Sequence, residues 1–165
     1  NKILDFCKKN NFKNILDFGA GVCQDSILAS KNNLNATAAD IPGKTFNFGK
    51  WRIKKYNLKI KTIDIFDETP IKENYDAITC FEVLQHVVNP QKTLLHLINH
   101  LNSKGILFIT TRFKNNYSLA LKHNEHLENT FEEMVKKVNL VIEEKIHMWG
   151  EGDSSKFLYV LKTKV

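Results

Sequence analysis

The residues best suited to chemistry lie early in the chain. Ile15-Leu16-Asp17-Phe18-Gly19-Ala20-Gly21 runs from a short apolar segment into a carboxylate and two glycines, and a helix-forming stretch follows. Glycine lets backbone approach a ligand where a side chain would collide. The start of the following helix offers unpaired N–H groups and a partial positive charge. The dinucleotide fingerprint GxGxxG needs glycine at position 24, where this chain has Gln24. Asp17 stands just before Gly19; a carboxylate there repels a pyrophosphate and suits a ligand that carries an ammonium and a sulfonium. A second carboxylate, Asp40, closes the segment Asn35–Asp40. At a strand end it can accept both ribose hydroxyls of a nucleoside, without saying which nucleoside. Alternatively it is a turn residue before Ile41-Pro42-Gly43.

Other candidates fall later. His86 follows an apolar run, and a neutral imidazole there can take a proton from a hydroxyl or amine. The alternative is a structural histidine. Arg112, Lys114 and Tyr117 follow another apolar run and could meet an anionic substrate, or form a solvated loop. His123, Glu125 and His126 lack the i,i+4 spacing that helical metal pairs use, and no metal site is expected. Basic residues interleave with Trp51 and Tyr56 in KWRIKKYNLKIK, a pattern that can mark RNA binding. Phe48, Trp51 and Tyr56 are instead expected to anchor a helix in the core, so nucleic acid is not favoured as a partner.

The elements that must position these residues alternate between β-branched apolar runs and helical periods, which predicts an α/β fold with a mainly parallel sheet. Helical segments are predicted at the N-terminus to Lys9, at Gln24–Lys31, at Thr45–Tyr56 with Thr45 as N-cap, from Pro90 to about Asn102, and from a Thr130/Glu133 capping box to about Val138. Asn89-Pro90 reads as an N-cap with proline at the first helical position. Strands are predicted at Asn14–Phe18, Asn35–Asp40, Lys59–Ile65, Tyr75–Phe81, Gly105–Thr111, Leu140–Met148 and Phe157–Thr163, the last two pairing antiparallel across a short loop. No repeat or linker breaks the pattern, so a single domain over 1–165 is expected.

In order, ILDFGAG, AAD, TIDIFD, YDAITCFEVLQHV and LNSKGILFITT resemble the successive motifs of class I S-adenosylmethionine-dependent methyltransferases, with the small-molecule branch as the closest resemblance. The likeness implies a three-layer Rossmann-like sandwich with a seven-stranded sheet of order 3-2-1-4-5-7-6, strand seven antiparallel. It implies S-adenosylmethionine as cofactor, S-adenosylhomocysteine as product, and a small-molecule acceptor methylated at O, N or C. It also implies that Asp17, Gly19, Ala20 and Gly21 hold the methionine part, that Asp40 and Ile41 meet the ribose, and that Asp64 and Ile65 flank the adenine. Phe81 and Glu82 would line the cofactor where it meets the acceptor, with His86 as the candidate base. Two departures stand out: Cys23 replaces the third glycine of the family's loop, and Gln85 replaces the glutamate usual in EVLEH. Cys23 also keeps open a non-catalytic module that binds cofactor or partner without turnover.

The chain also lacks the (Asp/Asn)-Pro-Pro-(Tyr/Phe) run of amino-group methyltransferases after Tyr75–Phe81, and Cys80 lacks the Pro-Cys context of cytosine-C5 enzymes. Cys80 is expected in the core. The three cysteines carry no CxxC spacing, which argues against a zinc site and for reduced thiols in a cytoplasmic protein. No run approaches the roughly 20 apolar residues of a membrane span, so no membrane association is expected. The net charge of +6 is carried almost wholly by lysine and is read as a solvated surface, with a face for an anionic partner as the alternative. The chain begins at Asn1 rather than Met, leaving room for a preceding segment. Oligomeric state is not readable.

Overall fold

The structure, a computed structural model, describes residues 2–66, 70–111, 131–138, 140–149 and 156–163. Its elements are α1 (Lys2–Lys9), β1 (Asn14–Phe18), α2 (Gln24–Lys31), β2 (Asn35–Asp40), α3 (Lys44–Lys55), β3 (Lys61–Asp64), β4 (Tyr75–Phe81), a 3-10 turn (Leu84–His86), α4 (Pro90–Asn99), β5 (Leu101–Thr110), α5 (Phe131–Lys137), β6 (Leu140–Trp149) and β7 (Lys156–Thr163). The strands form one sheet of order β3-β2-β1-β4-β5-β7-β6. The first five pair in parallel, and β7 runs antiparallel to both β5 and β6. Sheet order and direction are as the sequence motifs implied. Among the described residues no helix is long and apolar enough to cross a membrane.

Period-two alternation sends neighbouring side chains to opposite faces. Leu16, Phe18, Ile78, Cys80, Leu107 and Ile109 pack with Leu94 and Leu97 of α4 and with Phe131, Met134 and Val135 of α5. Ile15, Ala77, Ile106, Phe108, Leu158 and Val160 form the other face with Cys7 of α1 and Ala29 of α2. Ile27, Ala38, Phe46 and Ile53 seat α2 and α3 beside them. Cys80 is fully buried in the core, as expected. Parallel strands all end on one edge, so the tips of β1, β2, β3, β4 and β5 converge there. The antiparallel β7 brings its first residue, Lys156, to that same edge.

Several expectations are corrected. Thr45 lies inside α3, whose N-cap is Gly43 with no side-chain cap. Phe48, Trp51 and Tyr56 are about half exposed rather than core anchors. The buried stripe of α3 is Phe46, Gly49 and Ile53, at the i, i+3, i+7 spacing of one helical face. Phe48 and Trp51 stack outside it at 5.4 Å, with Lys55 over Trp51 and Lys31 over Tyr56. The third strand is shorter than read, at Lys61–Asp64. Helix α4 stops at Asn99 because Leu101 is drawn into the sheet opposite Tyr75, with a register shift before Ile106. Asn89 does cap α4, its side chain accepting from Lys92 N at 2.9 Å behind Pro90. Thr130, Arg112, Lys114, Tyr117, His123, Glu125 and His126 lie outside the described residues.

Candidate active site

The loop after β1 is built from its own backbone. Gly19 and Gly21 hold φ of +78° and +52°, the left-handed region where a side chain is strained. The Gly19 and Ala20 amides both donate to Ala39 O, at 2.8 and 3.1 Å, so the loop is latched onto the end of β2. A Cβ on Gly19 would stand 2.1 Å from Val83 Cγ2, whereas one on Gly21 would meet only Thr45 Cγ2 at 3.9 Å. Val83, which sequence reasoning passed over, therefore locks the β1 loop to the β4 exit. Cys23 takes the third glycine's place with φ +58°, as N-cap of α2, and its Sγ lies against Gly49. The left-handed turn is retained although the glycine is not. Burial pushes the Cys23 thiol up to about 12, aided by Asp17 and Asp40, so it stays protonated.

Asp17 is 6% exposed and points inward. Ser26 donates to its Oδ2 from both N and Oγ, at 3.1 and 2.5 Å, and Thr79 Oγ1 donates to Oδ1 at 3.3 Å. The carboxylate thus ties β1, β4 and the first turn of α2 together beneath the loop. Burial pushes its carboxyl up to about 6 despite the Ser26 donors.

Asp40, at the tip of β2, faces partly outward. Gly21 N donates to Oδ2 at 2.5 Å and Ile41 N to Oδ1 at 2.6 Å. Each oxygen keeps a second lone pair for an outside donor. Asp40 O accepts from Ile65 N at 2.8 Å, which sets the ends of β2 and β3 side by side. Beside this carboxylate Ile41 is 67% exposed, and Phe66, which the sequence reading missed, is 81% exposed. Asp64 is ion-paired with Lys50 of α3, while Ile65 packs against the core from its edge. Gln24, where a dinucleotide fold has glycine, opens α2 and accepts from Arg52 Nη2 at 2.7 Å.

The β4 exit forms the other side. Phe81 is half-buried against the α1-side core. Glu82 follows with φ +57°, a strained conformation for a residue with a side chain, and its N donates to Thr110 O at 2.8 Å. Gln85 Nε2 donates to Glu82 Oε2 at 3.3 Å, and Thr111 Oγ1 donates to Gln85 Oε1 at 2.9 Å. His86 ends the 3-10 turn, exposed, its N donating to Val83 O at 2.7 Å. The edge thus brings Asp40, Ile41, Ile65, the β1 loop and the Phe81–His86 segment together, while Asp17 acts from below and Asp64 is engaged by Lys50.

Comparison with known proteins agrees with this fold. A family model described as a methyltransferase domain matches residues 1–151. The chain belongs to this methyltransferase family. A curated relative is the ubiquinone biosynthesis O-methyltransferase of Rickettsia akari, 29% identical over 116 residues, which cover 68% of this chain and 46% of the relative. The chain spans about half the length of the first curated relatives it matches. Among solved structures, an S-adenosylmethionine-dependent methyltransferase from Clostridium acetobutylicum superposes with TM-score 0.76 at 13% identity, covering 98% of this chain and 89% of that one. The O-methyltransferase of a trans-AT PKS multienzyme of Brevibacillus brevis, in complex with S-adenosyl-L-homocysteine, gives 0.75 at 18% identity, covering 98% and 71%. At these identities both speak for the shared methyltransferase fold.

Proposed function

We propose that this chain transfers a methyl group from S-adenosylmethionine to an oxygen of a small molecule. The observation that carries the cofactor is Asp40, a carboxylate fixed by the Gly21 and Ile41 amides at a strand tip, with exposed Ile41 and Phe66 beside it. That donor set suits a nucleoside: two hydroxyls on the carboxylate and a flat ring between apolar side chains. Ile65 and the Asp64 backbone complete the adenine side. The loop Gly19-Ala20-Gly21, held from below by Asp17, seats the methionine part. Phe81 and Glu82 border the point where cofactor meets acceptor. The relatives' O-methyltransferase names support oxygen as the acceptor atom.

The cofactor supplies an already activated methyl group on sulfur, so the chain's work is positioning and exclusion of water. The Gly19–Val83 contact fixes the spacing between the two halves of the site. His86 receives the acceptor's proton from the solvent side, and no metal is invoked. Reduced, buried thiols at Cys7, Cys23 and Cys80 favour a cytoplasmic setting.

Calorimetry with S-adenosylhomocysteine, S-adenosylmethionine and NAD tests the reading: the first two bind and NAD does not. Binding of NAD with no response to S-adenosylhomocysteine overturns it. A hydroxyl-compound screen with methyl-labelled donor then supplies turnover. On the acceptor found, His86→Gln lowers turnover by about 10²-fold with cofactor affinity unchanged; unchanged turnover removes His86 from the mechanism.

A further inference from the structure

The acceptor edge holds a cation that no sequence motif pointed to. Lys156, the first residue of β7, reaches across the tip of β5 to Glu82 of the β4 exit, Nζ to Oε1 3.2 Å. Its side chain is 20% exposed. Glu82 Oε1 is buried and has no hydrogen-bond partner among the described residues, so this contact is electrostatic and out of line for a hydrogen bond. The carboxylate's other oxygen is held by Gln85, and Gln85 by Thr111. At the end of β5, Thr110 Oγ1 is likewise buried with no hydrogen-bond partner among the described residues. Glu82 carries this arrangement in a left-handed backbone conformation. Strain that persists is held by its surroundings, and it concentrates at functional positions.

We propose that Lys156 is the acceptor-binding cation of the site: it receives the acceptor oxygen as its anion, with Glu82 setting where the ammonium stands. The inference rests on the methyltransferase reading above. An ammonium carries three donors on a compact charge. In a half-buried place it favours an anion more than it would in water. Without Lys156, Glu82 would present a bare carboxylate to the acceptor and repel an oxyanion. The substrate class is therefore a small molecule with an acidic hydroxyl, a phenol or enol, rather than a simple alcohol. In the reaction the hydroxyl proton passes by way of His86 to water. The acceptor oxygen forms its bond to the methyl carbon as the methyl–sulfur bond breaks, its electron pair remaining on sulfur. Lys156 keeps its pair with Glu82 throughout, and the negative charge of the acceptor oxygen is gone once the ether forms.

The test uses para-nitrophenol, whose phenolate alone absorbs in the visible, added near neutral pH to the full chain saturated with S-adenosylhomocysteine. The bound probe is expected to be more ionised than the free probe. Lys156→Met should lower phenolate affinity by about tenfold, the scale of one charge-assisted hydrogen bond, with S-adenosylhomocysteine affinity unchanged. Lys156→Arg should restore most of the loss, and adding Glu82→Gln to Lys156→Met should recover part of it by removing the bare carboxylate that repels the phenolate. A probe that does not bind, or binds as the neutral phenol, or binds Lys156→Met as it binds the parent, overturns the inference while intact S-adenosylhomocysteine binding leaves the methyltransferase reading standing. Loss of S-adenosylhomocysteine binding by the parent itself overturns both.

Discussion

The two sides of the candidate site are built differently. On the cofactor side, the loop after β1 and the tip of β2 are sewn together by backbone amides: Gly19 and Ala20 to Ala39 O, Gly21 and Ile41 to the Asp40 carboxylate. On the acceptor side the links run between side chains from distant strands, Thr111 to Gln85 to Glu82 to Lys156. Two oxygens there, Glu82 Oε1 and Thr110 Oγ1, are buried without hydrogen bonds among the described residues. On the proposed reading the cofactor meets a carboxylate and a loop that backbone amides hold in place, and the acceptor meets side chains held by one another. The contrast predicts steep losses on the cofactor side and shallow ones on the other.

The largest loss is expected at the seam between the sides. Gly19→Ala places a Cβ in a left-handed residue, costing about 1–2 kcal/mol, and into Val83, adding about 1–3 kcal/mol of overpacking. Gly21→Ala carries only the first cost, since nothing lies closer than 3.9 Å. Denaturant unfolding should rank Gly19→Ala as the more damaging by at least about 1 kcal/mol. Equal losses would mean that Val83 yields and the two sides are not locked.

Asp17 gives a pH signature of comparable size. Its folded pKa is raised from 3.8 to about 6, so the folded state holds this proton more tightly than the unfolded state does. The contribution of Asp17 to stability is fully present below pH about 4 and is lost as pH rises towards 6. A shift of about two units corresponds to about 3 kcal/mol. Stability of the parent relative to Asp17→Asn should fall by up to that amount between pH 4 and pH 7, measured by denaturant melts. Parallel stability curves would show that Asp17 titrates normally and is not sealed beneath the loop.

Next in size is cofactor affinity. Asp40→Ala should weaken S-adenosylhomocysteine binding by about 1.5–3 kcal/mol, the scale of hydrogen bonds to a charged group. Asp64→Ala should change it far less, because that side chain is spent on a partly exposed pair with Lys50, and such pairs contribute about 0–1 kcal/mol. Calorimetry on both variants decides. Equal losses would put Asp64 on the ligand and narrow the distinction between tied and facing carboxylates.

The same division explains what was legible in the sequence. Short apolar runs marked β1, β2 and β4 to the residue. The Asp17–Gly21 motif was readable because left-handed backbone demands glycine locally. Helix α3 misled because bulky aromatics at Phe48 and Trp51 suggest burial, whereas only three-dimensional packing reveals that Phe46, Gly49 and Ile53 face the sheet. Asp17 stood out in the sequence by its place before Gly19, but its direction was not legible, because it depends on Ser26 and Thr79 arriving from other elements. Val83, Phe66 and Lys156 left no local signal. Lys156 lies far along the chain from Glu82 and meets it only because β7 runs antiparallel and delivers its first residue to the edge where the parallel strands end.

The smallest effect is expected at Asn89, which starts the helix after the Leu84–His86 turn. Its side chain accepts from Lys92 N at 2.9 Å, and Pro90 follows at the first helical position. Asn89→Ala removes one cap, a loss of about 1 kcal/mol within a range of 0.5–2, and Pro90 holds the effect low because its fixed φ already suits the first turn. Asn89→Asp should recover the stability, since a carboxylate caps the same amide and favours the helix N-terminus. Neither variant should alter S-adenosylhomocysteine affinity, because the cap lies beyond Gln85 and His86 and touches none of the backbone proposed to seat the cofactor. Thermal melts and calorimetry on the pair check both statements. A stability loss as large as that of Gly19→Ala, or a fall in cofactor affinity, would mean that the segment from Glu82 to Asn89 is held as rigidly as the β1 loop and that the two sides form one inseparable unit.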